Sequence, residues 1–207
     1  QAIGMTWDFS EAAILHQTVG GLSPASGFIA ECINKLPQQG YAESSQQDAM
    51  TSQLASSKII STDPPYFDNV PYADLSDFFY VWLRRSLKSV FPDLFATLVV
   101  PKTEELVAFA YRHDGRAGAE AFFLDGMTQA MQKLAVQVHP AFPVTIYYAF
   151  KQVENDDSGG TASTGWETFL DAVFVAGFVI SGTWPLRSEQ EYRMRGMDSN
   201  ALASSIV

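Results

Sequence analysis

The chain has 207 residues, of which 47% are hydrophobic and 17% are charged, so its composition is that of a folded domain and not of a disordered segment. No apolar run approaches the ~20 residues of a membrane span and no signal peptide is present, which predicts a cytoplasmic protein without a membrane partner. One cysteine, Cys32, and three histidines exclude a CxxC site and predict no metal centre. The net charge of −10 disfavours broad nucleic-acid binding, because proteins that bind nucleic acids usually carry a basic surface.

The two ends of the chain predict a fragment of a larger protein. The chain starts at Gln1 without a methionine, and residues 204–207 resemble the interior of a strand. We therefore expect residues 1–207 to form one partial domain, with basic DNA-contacting parts outside it.

The first predicted elements are a helix over residues 26–36 and a weak, polar strand over 41–47. Apolar residues at helical spacing place Cys32 on the buried face of that helix. Asp48 follows the strand and has two interpretations: an N-cap for a helix at 49–55, or a cofactor contact of the kind described below.

The most informative stretch is Lys58–Tyr72. Its β-branched start predicts a buried strand over 59–62, and the strand must end at the two prolines that follow because proline cannot donate to a sheet ladder. The motif after the strand consists of Asp63, Pro64, Pro65 and Tyr66. In open α/β sheets the carboxyl end of a strand is the edge where ligands bind.

The chemistry of this motif suits a planar heterocycle that carries an amino group. Asp63 offers a carboxylate, Pro64 offers a carbonyl of fixed direction, and Tyr66 offers an aromatic face. Two acceptors can each take one N–H of an exocyclic amine. Enzymes that modify a base hold it in this way after flipping it out of the helical stack.

A long helix is predicted over residues 74–90. Its apolar stripe is interpreted as buried core and consists of Leu75, Phe78, Phe79, Trp82, Leu83 and Val90. Arg84, Arg85 and Lys88 form the densest basic cluster of the chain; they are either a solvated face or contacts to backbone phosphates. Residues 91–118 are predicted to be irregular, as an insertion or lid.

The remaining elements alternate as in an α/β domain. Helices are predicted over 117–138 and 166–173, strands over 144–150, 178–183 and 202–207, and loops over 155–160 and 189–198. The last strand is expected to pair with residues 178–183 as an antiparallel hairpin.

The DPPY motif after a hydrophobic strand resembles the catalytic motif of the amino-group DNA methyltransferases, and its Asp form is similar to the adenine-N6 branch. The longer run STDPPYFDNVPYADLSDFFYVWLRR resembles the adenine-specific DNA methylases that carry a zinc ribbon. The resemblance extends from Trp7 to the end of the chain, with gaps, although the zinc-binding cysteines of that family are absent.

This resemblance implies an α/β, Rossmann-like class I fold with three α/β/α layers. It also implies an enzyme that transfers a methyl group from S-adenosylmethionine to N6 of adenine in DNA. It implies that Asp63 and the residues around it hold the flipped base. The substrate contacts implied are Tyr66, Phe67, Asn69, Tyr72, Arg84 and Arg85, and the cofactor contacts are Asp48 and Asp63.

The expected fold is incomplete, because no glycine-rich loop follows a strand and no acid for the cofactor ribose is found. The missing remainder of the enzyme or a second copy of the chain is therefore an expected partner. Methylation of cytosine N4, an RNA base or glutamine is an alternative activity. A non-catalytic fragment that serves DNA binding or assembly is the alternative from a different class.

Overall fold

The computed structural model describes residues 17, 21–36, 40–53, 56–149, 164–186 and 205–206. The chain divides into two compact units, residues 1–46 and 47–207. The described elements are α1 (Leu22–Lys35), β1 (Ser61–Thr62), α2 (Tyr72–Leu87), a 3-10 turn (Ala110–Arg112), α3 (Arg116–Gln137), β2 (Thr145–Ile146), α4 (Thr164–Val175), β3 (Pro185–Leu186) and β4 (Ser205–Ile206).

The first unit contains α1. The predicted helix at 26–36 is confirmed, with a start four residues earlier at Leu22; Pro24 in the first turn is compatible with this because the first amides of a helix have no partner within it. The prediction that Cys32 is buried is wrong, since its side chain is exposed. The predicted strand at 41–47 is also wrong: these residues are irregular and exposed, as expected for a polar segment with little to bury.

The second unit is built on a parallel strand pair. β1 and β2 pair in register, Ser61 with Thr145 and Thr62 with Ile146, and a further bridge joins Lys58 to Val138. Parallel neighbours need a long crossover, which here consists of α2, a connecting segment and α3. The structure therefore confirms a mixed α/β arrangement with a small parallel sheet.

The hydrophobic core lies between one face of this sheet and two helices. Side chains alternate along a strand, so Ile60 and Tyr148 point into the core while Ile59 and Tyr147 are exposed. The core consists mainly of Phe123, Met127 and Met131 from α3, Phe169, Ala172 and Val173 from α4, and Phe67 and Tyr148. In the part of the chain that the structure describes, helices thus cover one face of the sheet, and the three-layer arrangement stays a prediction.

The helices of the second unit lie close to their predicted positions. α3 and α4 are confirmed with ends that differ by one or two residues, and Gly177, at φ +90°, allows the chain to turn after α4. The helix predicted over 166–173 is therefore two residues longer at each end. Of the strand predicted over 144–150, residue 150 lies outside the described residues, and among 144–149 the structure forms a strand at Thr145–Ile146.

The predicted C-terminal hairpin is confirmed in its antiparallel direction but not in its register. Residues 178–183 form no strand, and the pairing joins Pro185 to Ile206 and Leu186 to Ser205. The predicted loops at 155–160 and 189–198 lie outside the described residues.

The prediction that the apolar stripe of α2 is buried is wrong. Leu75, Phe78, Phe79, Trp82, Leu83 and Val90 are all exposed. The opposite side of α2 packs inward and makes polar contacts there: Asp77 accepts from the Val100 N–H and from Lys102. Residues 91–118 pack against this side, with Phe95 and Val107 buried.

Candidate active site

The DPPY motif lies at the carboxyl end of β1. The last ladder bond is donated by Tyr147 N to Thr62 O at 2.9 Å, and the motif leaves the sheet immediately afterwards because its prolines lack N–H groups. Pro64 is buried, whereas Asp63 is exposed and Pro65 and Tyr66 are half-buried. The structure therefore anchors the elbow through a proline ring and leaves the carboxylate accessible.

Two further tyrosines pack against Tyr66 of this elbow. The Tyr66 ring stands edge-on to Tyr72, with centroids 6.4 Å apart, and to Tyr148, with centroids 5.6 Å apart. Tyr148 is itself stacked on Phe169 at 4.0 Å. Edge-on pairs of this kind are favourable contacts for aromatic rings, so ring contacts from the end of β2 and from the start of α2 fix the orientation of Tyr66.

Asp63 and the phenols interact electrostatically. Burial, the negative charge of Asp63 and a hydrogen bond to its carboxylate raise the pKa of Tyr66 to about 12. Burial also raises the pKa of Tyr72, although a hydrogen bond from the Tyr66 backbone N–H opposes the rise. At neutral pH both phenols are therefore protonated.

Two hydrogen bonds that the sequence did not predict hold the backbone of Phe67, directly after the motif. The Phe67 N–H donates to the Tyr148 hydroxyl at 3.2 Å, and the Ala108 N–H donates to Phe67 O at 2.7 Å. Tyr148 could have been found from its place in the predicted strand 144–150, since parallel strands end at the same sheet edge.

A third missed residue is Glu105, whose carboxylate accepts from the Ala73 N–H at 2.9 Å. This bond satisfies an N–H in the first turn of α2, directly after Tyr72. Its sequence signal is weak, because Glu105 lies in an irregular segment far from the motif.

The structure places Phe67 in the core and not at the surface of the site. It is buried edge-on against Phe123, with centroids 5.0 Å apart, and a Cβ at Gly165 would lie 2.8 Å from its ring. A ring enclosed on these sides has no free face for a base. Asn69, by contrast, is half-buried and is the last residue of the turn at 67–69.

The predicted phosphate contacts differ in their surroundings. Arg84 is half-buried and donates through Nε to Thr97 O at 2.8 Å, so part of its guanidinium fixes α2 to the connecting segment. Arg85 and Lys88 are exposed and are open to an anion.

Asp48 forms an Asx turn. Its carboxylate accepts from the Met50 N–H at 2.9 Å and its carbonyl from the Thr51 N–H at 3.2 Å. This is the capping role that was one of its two interpretations, although it caps a turn and not a helix. Among the contacts of the described residues, none joins Asp48 to the motif at 63–66.

No described residues form a cluster of three or more histidine, cysteine or carboxylate side chains that could hold a metal ion. No helix in the described part of the chain has the length and apolar character needed to cross a bilayer. No family model, curated protein or solved structure matches the chain.

Proposed function

We propose that the chain holds an adenine flipped out of DNA, in a protein that methylates the N6 amino group from S-adenosylmethionine. The observation that carries this proposal is the exposed Asp63 carboxylate, placed beside a fixed Tyr66 at the carboxyl end of a parallel strand. We further propose that β1, its crossover and β2 belong to a Rossmann-like class I fold, in which ligands bind at this edge.

The residues of the elbow would act by positioning the base. Asp63 and the Pro64 carbonyl each accept one hydrogen of the amino group, and Tyr66 supports the plane of the ring. The two bonds orient the nitrogen lone pair toward a methyl donor. Catalysis of this type depends on positioning and electrostatics and forms no covalent intermediate on the protein.

The described residues fit the base better than they fit the cofactor. S-adenosylmethionine would supply the methyl group, but no glycine-rich loop follows a described strand and Asp48 is engaged in its own Asx turn. The role proposed for these residues is therefore limited to holding and orienting the base.

DNA contact by this chain would be local. Arg85 and Lys88 are exposed near the end of α2, while the chain as a whole carries a net charge of −10. Two cations give a small phosphate footprint, so affinity from this chain alone would be weak and strongly dependent on salt.

The experiment is methylation in a host whose DNA contains no N6-methyladenine. The protein is expressed from its complete gene, and the methylated nucleosides of the host DNA are measured by mass spectrometry. We expect N6-methyladenine with the wild type and at least a ~100-fold loss with Asp63→Ala, the scale seen when one transition-state contact is removed. Asp68→Ala, an exposed aspartate in the following turn, should retain activity.

The alternatives give different outcomes in this experiment. N4-methylcytosine in place of N6-methyladenine would assign a different base. No methylated base in the DNA would refute DNA methylation and leave the non-catalytic fragment and methylation of RNA or glutamine, and full activity of Asp63→Ala would refute the role of the motif.

A further inference from the structure

The two residues that follow β2 hold the two ends of the DPPY elbow. Tyr147 donates its backbone N–H to Thr62 O at 2.9 Å, directly before the elbow. Tyr148 accepts the backbone N–H of Phe67 through its hydroxyl oxygen at 3.2 Å, directly after the elbow. Neighbouring residues of one segment therefore determine how far apart the two ends of the elbow lie.

The elbow depends on such bonds because its two prolines carry no N–H group. The first backbone donors after the prolines belong to Tyr66 and Phe67. The Phe67 N–H is directed to a side-chain oxygen and not to the backbone of a neighbouring strand. The peptide group between Tyr66 and Phe67 is therefore held by a hydroxyl, which a single substitution removes without changing the backbone of the sheet.

The hydroxyl of Tyr148 has a fixed position. The Tyr148 residue is 2% exposed, and its ring stacks on Phe169 with centroids 4.0 Å apart and planes inclined by 10°. The same ring meets Tyr66 edge-on, with centroids 5.6 Å apart. Because Tyr148 is buried, it cannot touch a base that lies at the exposed Asp63 carboxylate. Any influence of Tyr148 on the base must therefore act through the elbow.

The elbow carries both acceptors proposed for the amino group of the base. The Asp63 carboxylate and the Pro64 carbonyl lie between the two held ends, so their directions depend on these bonds. A displacement of about 1 Å in a positioning group costs about 100-fold in rate. We infer that Tyr148 is a positioning residue of the proposed site, whose hydroxyl keeps the two acceptors aimed at the amino group by holding the end of the elbow. This role rests on the proposed function, because it requires a base at the elbow.

The first experiment measures the kinetics of methyl transfer to duplex DNA by the protein purified from its complete gene. Tyr148→Phe preserves the ring and its stack on Phe169 and removes only the hydroxyl. We expect kcat to fall on the order of 10–100-fold, while the KM for DNA stays unchanged, as for an interaction made in the transition state alone. Val173→Ala is the control: it removes two methyl groups from the same core cluster, leaves every side-chain oxygen in place and should keep the wild-type kcat. Circular dichroism checks that both variants are folded under the assay conditions.

The same substitution in an Asp63→Ala background separates positioning from stability. A residue that acts by aiming the Asp63 carboxylate has little left to aim once that carboxylate is removed. Effects of residues that act as a unit are not additive, so Tyr148→Phe should lower the residual rate of Asp63→Ala by less than about threefold. A loss of stability alone would lower the rate by the same factor in both backgrounds.

The second experiment measures hydrogen exchange of the backbone amide of Phe67, which should be faster in Tyr148→Phe than in Val173→Ala because its acceptor is lost. Unchanged exchange, a wild-type kcat in Tyr148→Phe, or an equal loss of rate in the Asp63→Ala background overturns the positioning role and leaves the proposed function standing. No methyl transfer to DNA by the wild type overturns the proposed function, and the positioning role with it.

Discussion

The substitution Arg112→Met tests whether a buried ion-pair network holds the start of α2 in place. The Arg112 side chain is 9% exposed and bonds to Glu105, which is 11% exposed, and to Asp74. The same guanidinium lies over the rings of Phe109 and Tyr111, 5.3 and 5.5 Å from their centroids. Methionine preserves most of the apolar stem and removes the charge.

The expected cost follows from what the substitution leaves behind. Removing one partner of a buried ion pair costs about 3–5 kcal/mol, because the other charge stays buried without compensation. Asp74 is 40% exposed and can be hydrated, so its share is small. Glu105 keeps the Ala73 N–H as a donor. We therefore expect a loss of about 3 kcal/mol in the free energy of unfolding, at the lower end of that range.

Urea denaturation measures this loss, and Arg116→Met is the matched control. Arg116 pairs with Glu120, but its side chain is 75% exposed, so its removal should cost less than about 1 kcal/mol. Adding Glu105→Gln to Arg112→Met should recover part of the loss, because it removes the stranded charge. The reasoning is refuted if Arg112→Met costs no more than Arg116→Met.

Further predictions concern the motif and the residues that pack around it. Asp63→Asn should lower the pKa of Tyr66 from about 12 toward 10, without reaching it because burial is the largest cause; ultraviolet titration of the phenol measures this. Since a raised pKa stabilises the protonated form, the contribution of Tyr66 to stability is complete below pH 10 and is lost as the pH rises to about 12. Tyr148→Phe should destabilise the protein by about 1–3 kcal/mol in urea, because the buried Phe67 N–H loses its acceptor. Gly165→Ala should lower the melting temperature, since its Cβ would lie 2.8 Å from the Phe67 ring.

Each of the three substitutions has a matched control. Asp125→Asn, on the exposed side of α3, should leave the Tyr66 titration unchanged. Tyr147→Phe, at the exposed neighbour of Tyr148, should cost less than about 0.5 kcal/mol. Gly27→Ala, in α1 with nothing within 4 Å of the added Cβ, should not destabilise the chain. Equal effects of a variant and its control would contradict the corresponding prediction.

Local signals predicted the parts of the fold that depend on local chemistry. Two prolines after a β-branched run defined the end of β1, and the periodicity of α3 and α4 gave their positions within two residues. The local interpretation of Asp48 was a capping role, and in the structure its carboxylate accepts a hydrogen bond from the backbone N–H two residues later.

Tertiary relations were not available from the sequence. The pattern of α2 shows that one face is apolar but does not say what covers it. In the structure the opposite face packs inward, where Asp77 forms an ion pair with Lys102. Phe67 adjoins Tyr66 in the motif, yet one enters the core and the other borders the site. Glu105 accepts from the Ala73 N–H at the start of α2 across 32 positions of sequence, which no local pattern could indicate.

The register of the two parallel strands has a consequence for the order of folding. Ser61 pairs with Thr145, so closing this pair requires a loop of more than eighty residues, at an entropic cost of about 4 kcal/mol by chain-closure scaling. Helices such as α3 make short-range contacts and can form earlier. Because Tyr66 and Tyr148 meet only when the strands are joined, we expect the motif to acquire its geometry in a late step. Slowing that step would leave a helical intermediate in which the carboxylate and its tyrosines are still apart.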